Sequence, residues 1–396
     1  MKRVGLNRNL TVMCGTIFSN VFFAFMWNPL LPLYFRSLGA NDWDIGIAFT
    51  LMGIARTVFA VFGGALADRF GRKRLLVVPI VGMIPLYLIV RSTGDWAVLL
   101  AIFVVTNALN ALTGPAFSAV IAESSTEDQV ARSFSLSEFS VLGGLIAGPI
   151  AGAALLGILD IPAMIALNAV VLIATTAARG WGLQETRHRV TGNTLPKLFS
   201  AIDSNVRWCM VMVTLLTFAF SLSFGPYFAI LLRDAWHNSE AEINLLFAAG
   251  NVASMLGIGL GRMSDRWGAQ RVFMLGMFGY GISSLAWGIA PAWEWGLLPL
   301  LFAFGFSEAA WIATETLQAE ITTRETRTSV FGIITTVTGV LGGMGPTLGA
   351  WLIALGGNPM PFLAAGVCGL LAVAAILPVR GRKVGVQLQP AALQAE

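Results

Sequence analysis

Twelve apolar runs, each long enough to cross a bilayer as a helix, dominate this chain. They cover about residues 10–35, 44–68, 73–92, 95–121, 132–156, 160–181, 207–232, 242–267, 271–290, 295–320, 328–354 and 359–379. At ~1.5 Å rise per residue, roughly 20 residues span a hydrocarbon core of ~30 Å. Lipid offers no partner to a backbone amide or carbonyl, so each run must close its own hydrogen bonds as a helix. A closed barrel would need alternating segments of about 10 residues, which are absent here. Hydrophobic residues make up 56% of the chain and charged ones 12%, against about 25% charged in a soluble domain. The expected fold class is an all-α membrane protein with twelve transmembrane helices.

The charges set the topology. Of the 25 Lys and Arg residues, 21 fall on the side of the N-terminus, Arg36, Arg91 and Arg233 fall on the other, and Arg56 lies inside a run. Positive loops stay in the cytoplasm, so both termini are expected there, in a bacterial inner (plasma) membrane. The basic balance thus reports orientation and does not imply nucleic acid. Lys2, Arg3 and Arg8 precede the first run as in a signal peptide, but no small-residue cleavage site follows and more spans come after it. It is read as the first span.

One polar stretch splits the runs six and six. The expected divisions are residues 1–183, a cytoplasmic linker at 184–205, and residues 206–396 with a short cytoplasmic tail. Within the linker Leu195, Leu198, Phe199, Ile202 and Val206 recur at helical spacing, with Thr194 placed to cap and Pro196 to begin a helix. That pattern suits a short amphipathic helix on the membrane face; a solvated linker without fixed structure is the alternative.

The halves repeat. Gly64-Ala65-Leu66-Ala67-Asp68-Arg69-Phe70-Gly71-Arg72-Lys73 has a degenerate second copy 197 residues on, from Gly261 through Asp265, Arg266 and Gly268 to Arg271. The same offset carries Pro29 to Pro226, Arg36 to Arg233, Ala122-Glu123 to Ala319-Glu320, Gly148-Pro149 to Gly345-Pro346 and Gly152 to Gly349. Six spans per half keep both halves in one orientation, related by an axis along the membrane normal.

At this point the chain resembles the twelve-helix transporters of the major facilitator superfamily over nearly its whole length. The decapeptide after the second run matches that superfamily's signature. Gly144-x-x-x-Gly148-Pro149-x-x-Gly152 is similar to a motif of its drug–proton antiporters. One feature departs from that group: an Arg twelve residues before a Pro in the fourth helix is replaced by Phe103, counted from Pro115. The resemblance implies secondary transport by alternating access, with proton-coupled export of small amphipathic compounds as the first expectation. Uptake or exchange of a sugar or organic anion, and a lipid-handling or sensor role, stand as alternatives. Implied partners are a small-molecule substrate, protons and the bilayer, with the protein monomeric.

Candidate residues fall into three groups. Asp68, at the end of the second helix, is disfavoured by that helix's own dipole and needs a cationic partner. Asp68, Arg69, Arg72 and Glu123, with Asp265, Arg266 and Glu320 in the second half, are expected at the cytoplasmic gate. The resemblance implies that they latch the halves together, the first-half cluster being the stronger because Ala269 replaces its Arg; the plainer reading is a topology signal and a turn. Gly144, Gly148 and Gly152 form a small-residue stripe for close helix approach, and Pro149 removes a backbone bond and can bend the helix.

Charges within spans are the third group. Each costs roughly 2.5–3.5 kcal/mol to insert, so it should face a cavity or a partner. Glu308 is the leading proton-binding carboxylate and Glu138 the second. A permanent pair between Glu308 and Arg56, and direct substrate contact, remain open. The resemblance places the first, fourth, seventh and tenth helices around a central cavity. Trp27, Asn28, Arg56, Asn107, Asn110, Phe224, Tyr227, Trp311 and Glu315 are its expected lining. Cys14, Cys209, Cys368, His188 and His237 have no metal-ligand spacing. No metal, cofactor, nucleotide loop or nucleophile elbow is read, and no enzyme activity is expected.

Overall fold

A computed structural model describes residues 7–126, 129–186, 203–322 and 327–379, and these are helical with no strand among them. Twelve helices form two six-helix halves. The first half holds α1 (Arg8–Ser37), α2 (Asp42–Phe70), α3 (Arg72–Ser92), α4 (Trp96–Glu123), α5 (Val130–Leu155) and α6 (Ile161–Gly182). The second holds α7 (Ser204–Asp234), α8 (Glu240–Gly261), α9 (Ala269–Gly288), α10 (Trp293–Ile321), α11 (Arg327–Gly343 continued by Gly345–Gly356) and α12 (Met360–Ile376). The one-turn helix Ser264–Trp267 joins α8 to α9.

Polar residues at the run ends decide where helices begin. Asn41 with Asp44, and Ser239 with Glu242, close capping boxes on α2 and α8, while Asp95, Asp160 and Asp203 cap α4, α6 and α7. Each side-chain oxygen accepts a backbone N–H that the first helical turn leaves without a partner. Asp203 thus starts α7 at Ser204, and Val206 lies inside it. The remaining positions of the expected amphipathic linker helix fall outside the described residues.

The half-chain repeat is conformational as well as sequential. Gly71 and Gly268 end α2 and the one-turn helix with φ of 97° and 84°, a region that costs little only for glycine. Pro29 and Pro226 both interrupt their helices: α1 passes through a 3-10 turn at Asn28–Leu30, and α7 breaks between Ser223 and Tyr227. The repeat is not exact in its helix breaks: α2 runs unbroken to Phe70, whereas α8 stops at Gly261 before the one-turn helix. Pro149 lies within an unbroken α5, whereas α11 is interrupted at Met344, just before Gly345-Pro346.

The packing defines two ends of the bundle. One carries Asn7 and residues 184–186 and is termed the linker side; the other carries residues 38–41 and 235–239 and is termed the far side. On the far side one apolar core runs through both halves, from Trp27, Leu30 and Phe35 of α1 to Tyr227, Phe228, Ile243 and Trp287. Toward the linker side the cores separate. Met13, Ala67, Leu76 and Val120 pack within the first half, and Cys209, Phe273, Leu317 and Ile376 within the second.

Polar contacts between the halves follow the same division. Arg36 bridges Asp42 of its own half and Asp234 of the other. The Thr347 hydroxyl lies 2.8 Å from that of Thr50, and Asn244 donates to the Met26 carbonyl at 2.9 Å. Gly46 brings α2 against α11: a Cβ there would sit 2.8 Å from the Pro346 carbonyl oxygen. The halves are therefore joined at the far side and parted toward the linker side.

Candidate functional site

The parted region is a cavity whose wall can be read helix by helix. In α10, Phe306 and Ala310 pack on Gly276 and Gly279 of α9. Helical geometry puts Phe304, Glu308, Trp311 and Glu315 on the opposite face. Glu308 and Trp311 are half-buried and Glu315 is exposed. Gly257 of α8 leaves room for the Glu308 side chain, since a Cβ on it would lie 2.8 Å from that of Glu308.

Facing them, α7 presents Phe220 and Phe224. Phe220 meets Trp311 edge-on at 6.4 Å, and Phe224 lies 4.9 Å from Phe220 and 4.2 Å from Phe304 between ring centres. These four rings are continuous, with Phe220, Phe224 and Trp311 toward the cleft and Phe304 buried behind them. Phe220 and Phe304 escaped the sequence reading, although Phe220 stands one turn before Phe224 and Phe304 one turn before Glu308. That spacing is the signal that could have found them.

From the first half, α5 contributes Glu138, which is exposed. It is near enough to act electrostatically on both Glu308 and Glu315, and Glu315 on Glu308. Three carboxylates from two halves thus converge across the cleft. Arg56 is exposed on α2. Gly63 packs on Leu112 of α4, and Gly53 and Thr57 on Gly343 and Gly339 of α11. Arg56 falls between those two faces and opposite the lipid-facing row of Leu51, Val58 and Phe62. It makes no ion pair with Glu308 or any other described residue, so the structural pairing of Arg56 with Glu308 does not form. In α4, Asn110 is exposed, whereas Asn107 is half-buried and donates back to the Phe103 carbonyl at 2.8 Å.

Two expected lining residues belong to the core instead. Trp27 is 2% exposed and packed among Tyr87 and Phe103. Tyr227 has no exposed surface; its ring lies against Gly349 and its hydroxyl donates to the Pro346 carbonyl. Both follow the proline breaks of α1 and α7, which tuck these side chains into the common far-side core. Asn28, between Trp27 and Pro29, remains exposed.

On the linker side Arg72 organises a polar cluster. Its guanidinium lies 2.5 Å from Asp68 and 3.5 Å from Glu123. Glu185, past the end of α6, accepts from the backbone N–H of Arg72 at 2.8 Å and of Lys73 at 3.3 Å, and Thr186 donates to Glu123 at 2.6 Å. A carboxylate at the start of α3 suits the positive end of the helix dipole. The sequence reading missed Glu185 and Thr186, which are distant in sequence from the motif they complete. All these groups belong to the first half or its continuation. The cluster ties α2, α3, α4 and residues 185–186 together, and among the described residues none of these contacts of Arg72 and Glu123 reaches the second half.

Arg69 lies over the Phe70 ring at 5.2 Å. In the second copy, Ala269 occupies the position of Arg72 and is buried; Arg266 is exposed and Glu320 half-buried. The Asp265 side chain lies outside the described set. Arg179, counted among the linker-side charges, is buried in α6 and donates to the Thr16 hydroxyl at 3.1 Å and the Leu76 carbonyl at 3.3 Å. It ties α6 to α1 and α3 rather than meeting solvent.

The glycine stripe of α5 packs mainly on α1. A Cβ at Gly144 would lie 2.8 Å from Val21, and one at Gly148 would overlap the Phe22 carbonyl. Only Gly152 reaches the other half, where it borders Asn244 as well as the Met26 carbonyl. The stripe is chiefly a contact inside the first half.

Comparison with known proteins gives a consistent result. The sequence profile of the Major Facilitator Superfamily matches residues 13–229 and 209–393. The multidrug resistance protein MdtG of Proteus mirabilis (strain HI4320) is 28% identical over 356 residues, covering 82% of this chain and 84% of its own length. MdtG of Salmonella paratyphi C (strain RKS4594) is 24% identical over 408 residues, covering 97% and 98%. Among solved structures, a POT family transporter in complex with 5-aminolevulinic acid superposes with a TM-score of 0.80 at 12% identity, covering 95% of this chain and 96% of that one. The human organic anion transporter MFSD10 (TETRAN) superposes with a TM-score of 0.70 at 15% identity, covering 94% and 100%. These structures share the fold.

Proposed function

This chain belongs to the major facilitator superfamily, and from that premise we propose that it exports small amphipathic organic compounds, cationic ones above all, in exchange for protons. The observation that carries this reading is the convergence of Glu138, Glu308 and Glu315 beside the wall of Phe220, Phe224, Phe304 and Trp311. A carboxylate in a partly apolar cavity is costly when charged and unpaired. Either a proton or an organic cation relieves that cost, so the two compete for one site. The aromatic faces hold the apolar body of the ligand and attract its charge. Glu308, half-buried beside Gly257, carries the coupling proton in this scheme, with Glu138 as the second carboxylate.

The excess of basic residues on the linker side supports a cytoplasmic location for it, with a bacterial inner membrane as the membrane of this reading. The conformation described is then the inward-open one. Rocking about the central seam would close the Arg72 end and part Arg36 from Asp234. The names of the MdtG relatives support efflux as the direction.

The test is dye exclusion by energised cells and proton-driven dye movement in vesicles across pH 5–8. Wild type should exclude cationic dyes when a proton gradient is present. Glu308→Gln, a permanent neutral amide, should abolish the dependence on the gradient. Unchanged gradient-driven exclusion in that variant would overturn the assignment of Glu308. A second reading rests on Arg56, an exposed cation that forms no ion pair among the described residues. If anionic metabolites and not cationic dyes are moved, and Arg56→Gln stops this, the protein exchanges organic anions.

A further inference from the structure

Away from the central cleft, a cavity of about 500 Å³ opens between α2, α7 and α11 on the far-side half of the bundle. Trp43 of α2 forms one wall, and Phe218, Leu341, Met344, Leu348 and Trp351 form the other. Its mouth is toward the bilayer: Met344 is 52% exposed on α11, in the row with Leu341, Leu348 and Trp351, all of them exposed. The interruption of α11 at Met344 falls within this lining, opposite Phe218 of α7.

The lining has two hydroxyls, and neither is free. Thr214 donates to the Met210 carbonyl at 2.7 Å. Thr347 lies 2.8 Å from the Thr50 hydroxyl and 3.3 Å from the Gly46 carbonyl. Both hydroxyls are engaged with the protein, and the surface the hollow exposes is almost wholly apolar, which suits hydrocarbon. Trp43 and Trp351 stand at its far-side rim, the level at which indoles mark the boundary between hydrocarbon and headgroups. Asp42 and Arg36, the first polar groups beyond Trp43, are already paired with each other.

We infer that this groove is a binding site for one acyl chain of a phospholipid in the far-side leaflet, its headgroup resting at the level of Trp43 and Trp351. A chain lying there would fill a void that water cannot hydrate and that protein side chains leave empty. The groove is also tied to conformation. Its Trp43 wall belongs to the first half and the other wall to the second, and Thr347 of the lining bonds Thr50 across that same seam. A lodged chain would thus favour the state in which the far side is closed. This inference is independent of the transported substrate.

The experiment uses the full chain reconstituted in vesicles of phosphatidylethanolamine and phosphatidylglycerol, doped with a phospholipid carrying a mid-chain photoreactive diazirine. After irradiation, labelled residues are located by peptide mass spectrometry. Labelling at Met344, Leu348 and Phe218 should exceed severalfold that at Leu256 and Phe302, apolar residues exposed elsewhere on the bundle. A Thr50→Cys, Thr347→Cys variant oxidised to hold the seam shut should keep that excess. Leu341→Trp, which fills the groove from its own wall, should lose it while retaining the fold by circular dichroism. Even labelling over all exposed apolar residues would overturn the inference, as would loss of the excess in the oxidised variant. Displacement of the label by a lipophilic cationic dye would also overturn it, identifying a substrate portal.

Discussion

Arg36 places one guanidinium nitrogen 2.5 Å from Asp234, joining the far-side end of α1 to that of α7 across the two halves. The same guanidinium holds Asp42 at the start of α2. The 197-residue repeat equates Arg36 with Arg233, yet the bridge runs from Arg36 to the neighbouring Asp234. The repeat thus supplies the cation, and the asymmetric pairing makes the closure.

Removing that bridge should loosen the far side. Both side chains are about one-third exposed, so solvent screens the pair, and each such contact is worth about 0.2–1 kcal/mol. Arg36→Ala or Asp234→Asn should raise the far-side-open population by no more than about fivefold. The distance between spin labels on α1 and α7 would report it. The reversed pair, Arg36→Asp with Asp234→Arg, leaves Asp42 without its cation and should restore the closure only in part.

The Arg72 cluster should matter more. Arg72 is buried, and its removal takes the guanidinium from Glu123 and Asp68 while Glu185 keeps its backbone amides. Asp68 is 53% exposed, so water offsets part of the cost of about 3–5 kcal/mol for breaking a fully buried pair. Arg72→Ala should lower the unfolding temperature in detergent and reduce the folded yield, while Glu185→Gln, which keeps an acceptor for the two backbone amides, should do so less. Equal melting temperatures for wild type and Arg72→Ala would contradict the packing described.

Two glycines should respond in opposite ways to one added methyl. At Gly152 a Cβ would overlap the Met26 carbonyl and crowd Asn244, whereas at Gly114 nothing lies within 4 Å. Overpacking costs about 1–3 kcal/mol. Gly152→Ala should therefore destabilise the protein and loosen the far-side contact of α5 with α8. Gly114→Ala should be tolerated, with a small gain in helix propensity.

Two tryptophans separate packing from binding. Trp27 is 2% exposed in the common core, and truncating so large a buried ring costs about 3–5 kcal/mol. Trp27→Ala should fail chiefly in folding. Trp311 is half-buried on the cavity wall, so Trp311→Ala should fold and weaken binding of aromatic cations, measured by equilibrium binding in detergent. A folded Trp311→Ala with unaltered binding would remove that ring from the site.

Much of the architecture was legible in the residues. Long apolar runs poor in charge marked the helices, since lipid permits no other spanning structure for such segments. Gly71 and Gly268 revealed the repeat, and both adopt the positive φ that made glycine necessary there. Glu308, Trp311 and Glu315 could be set on one face by counting turns. The facing of α1 and α7 was harder. In a bilayer, lipid tails are as apolar as a protein core, so a leucine on the lipid face looks like one inside. Trp27 and Tyr227 were expected to line the cavity for that reason, and the proline breaks that bury them act through three-dimensional packing.

The sequence by itself determined twelve membrane helices, their division into two like halves, and the chemical types available within the membrane. Only the tertiary structure decided which groups meet. It brought Glu138 of one half toward Glu308 and Glu315 of the other and carried Glu185 to the start of α3, 113 residues from Arg72. Among the described residues it gave Arg56 no carboxylate, and it turned Arg36 to Asp234. The physical reason is range. Helix formation and membrane insertion are settled within some 20 residues by backbone hydrogen bonding and hydrocarbon solvation. Pairing between side chains depends on how rigid helices from distant parts of the chain come to lie against one another.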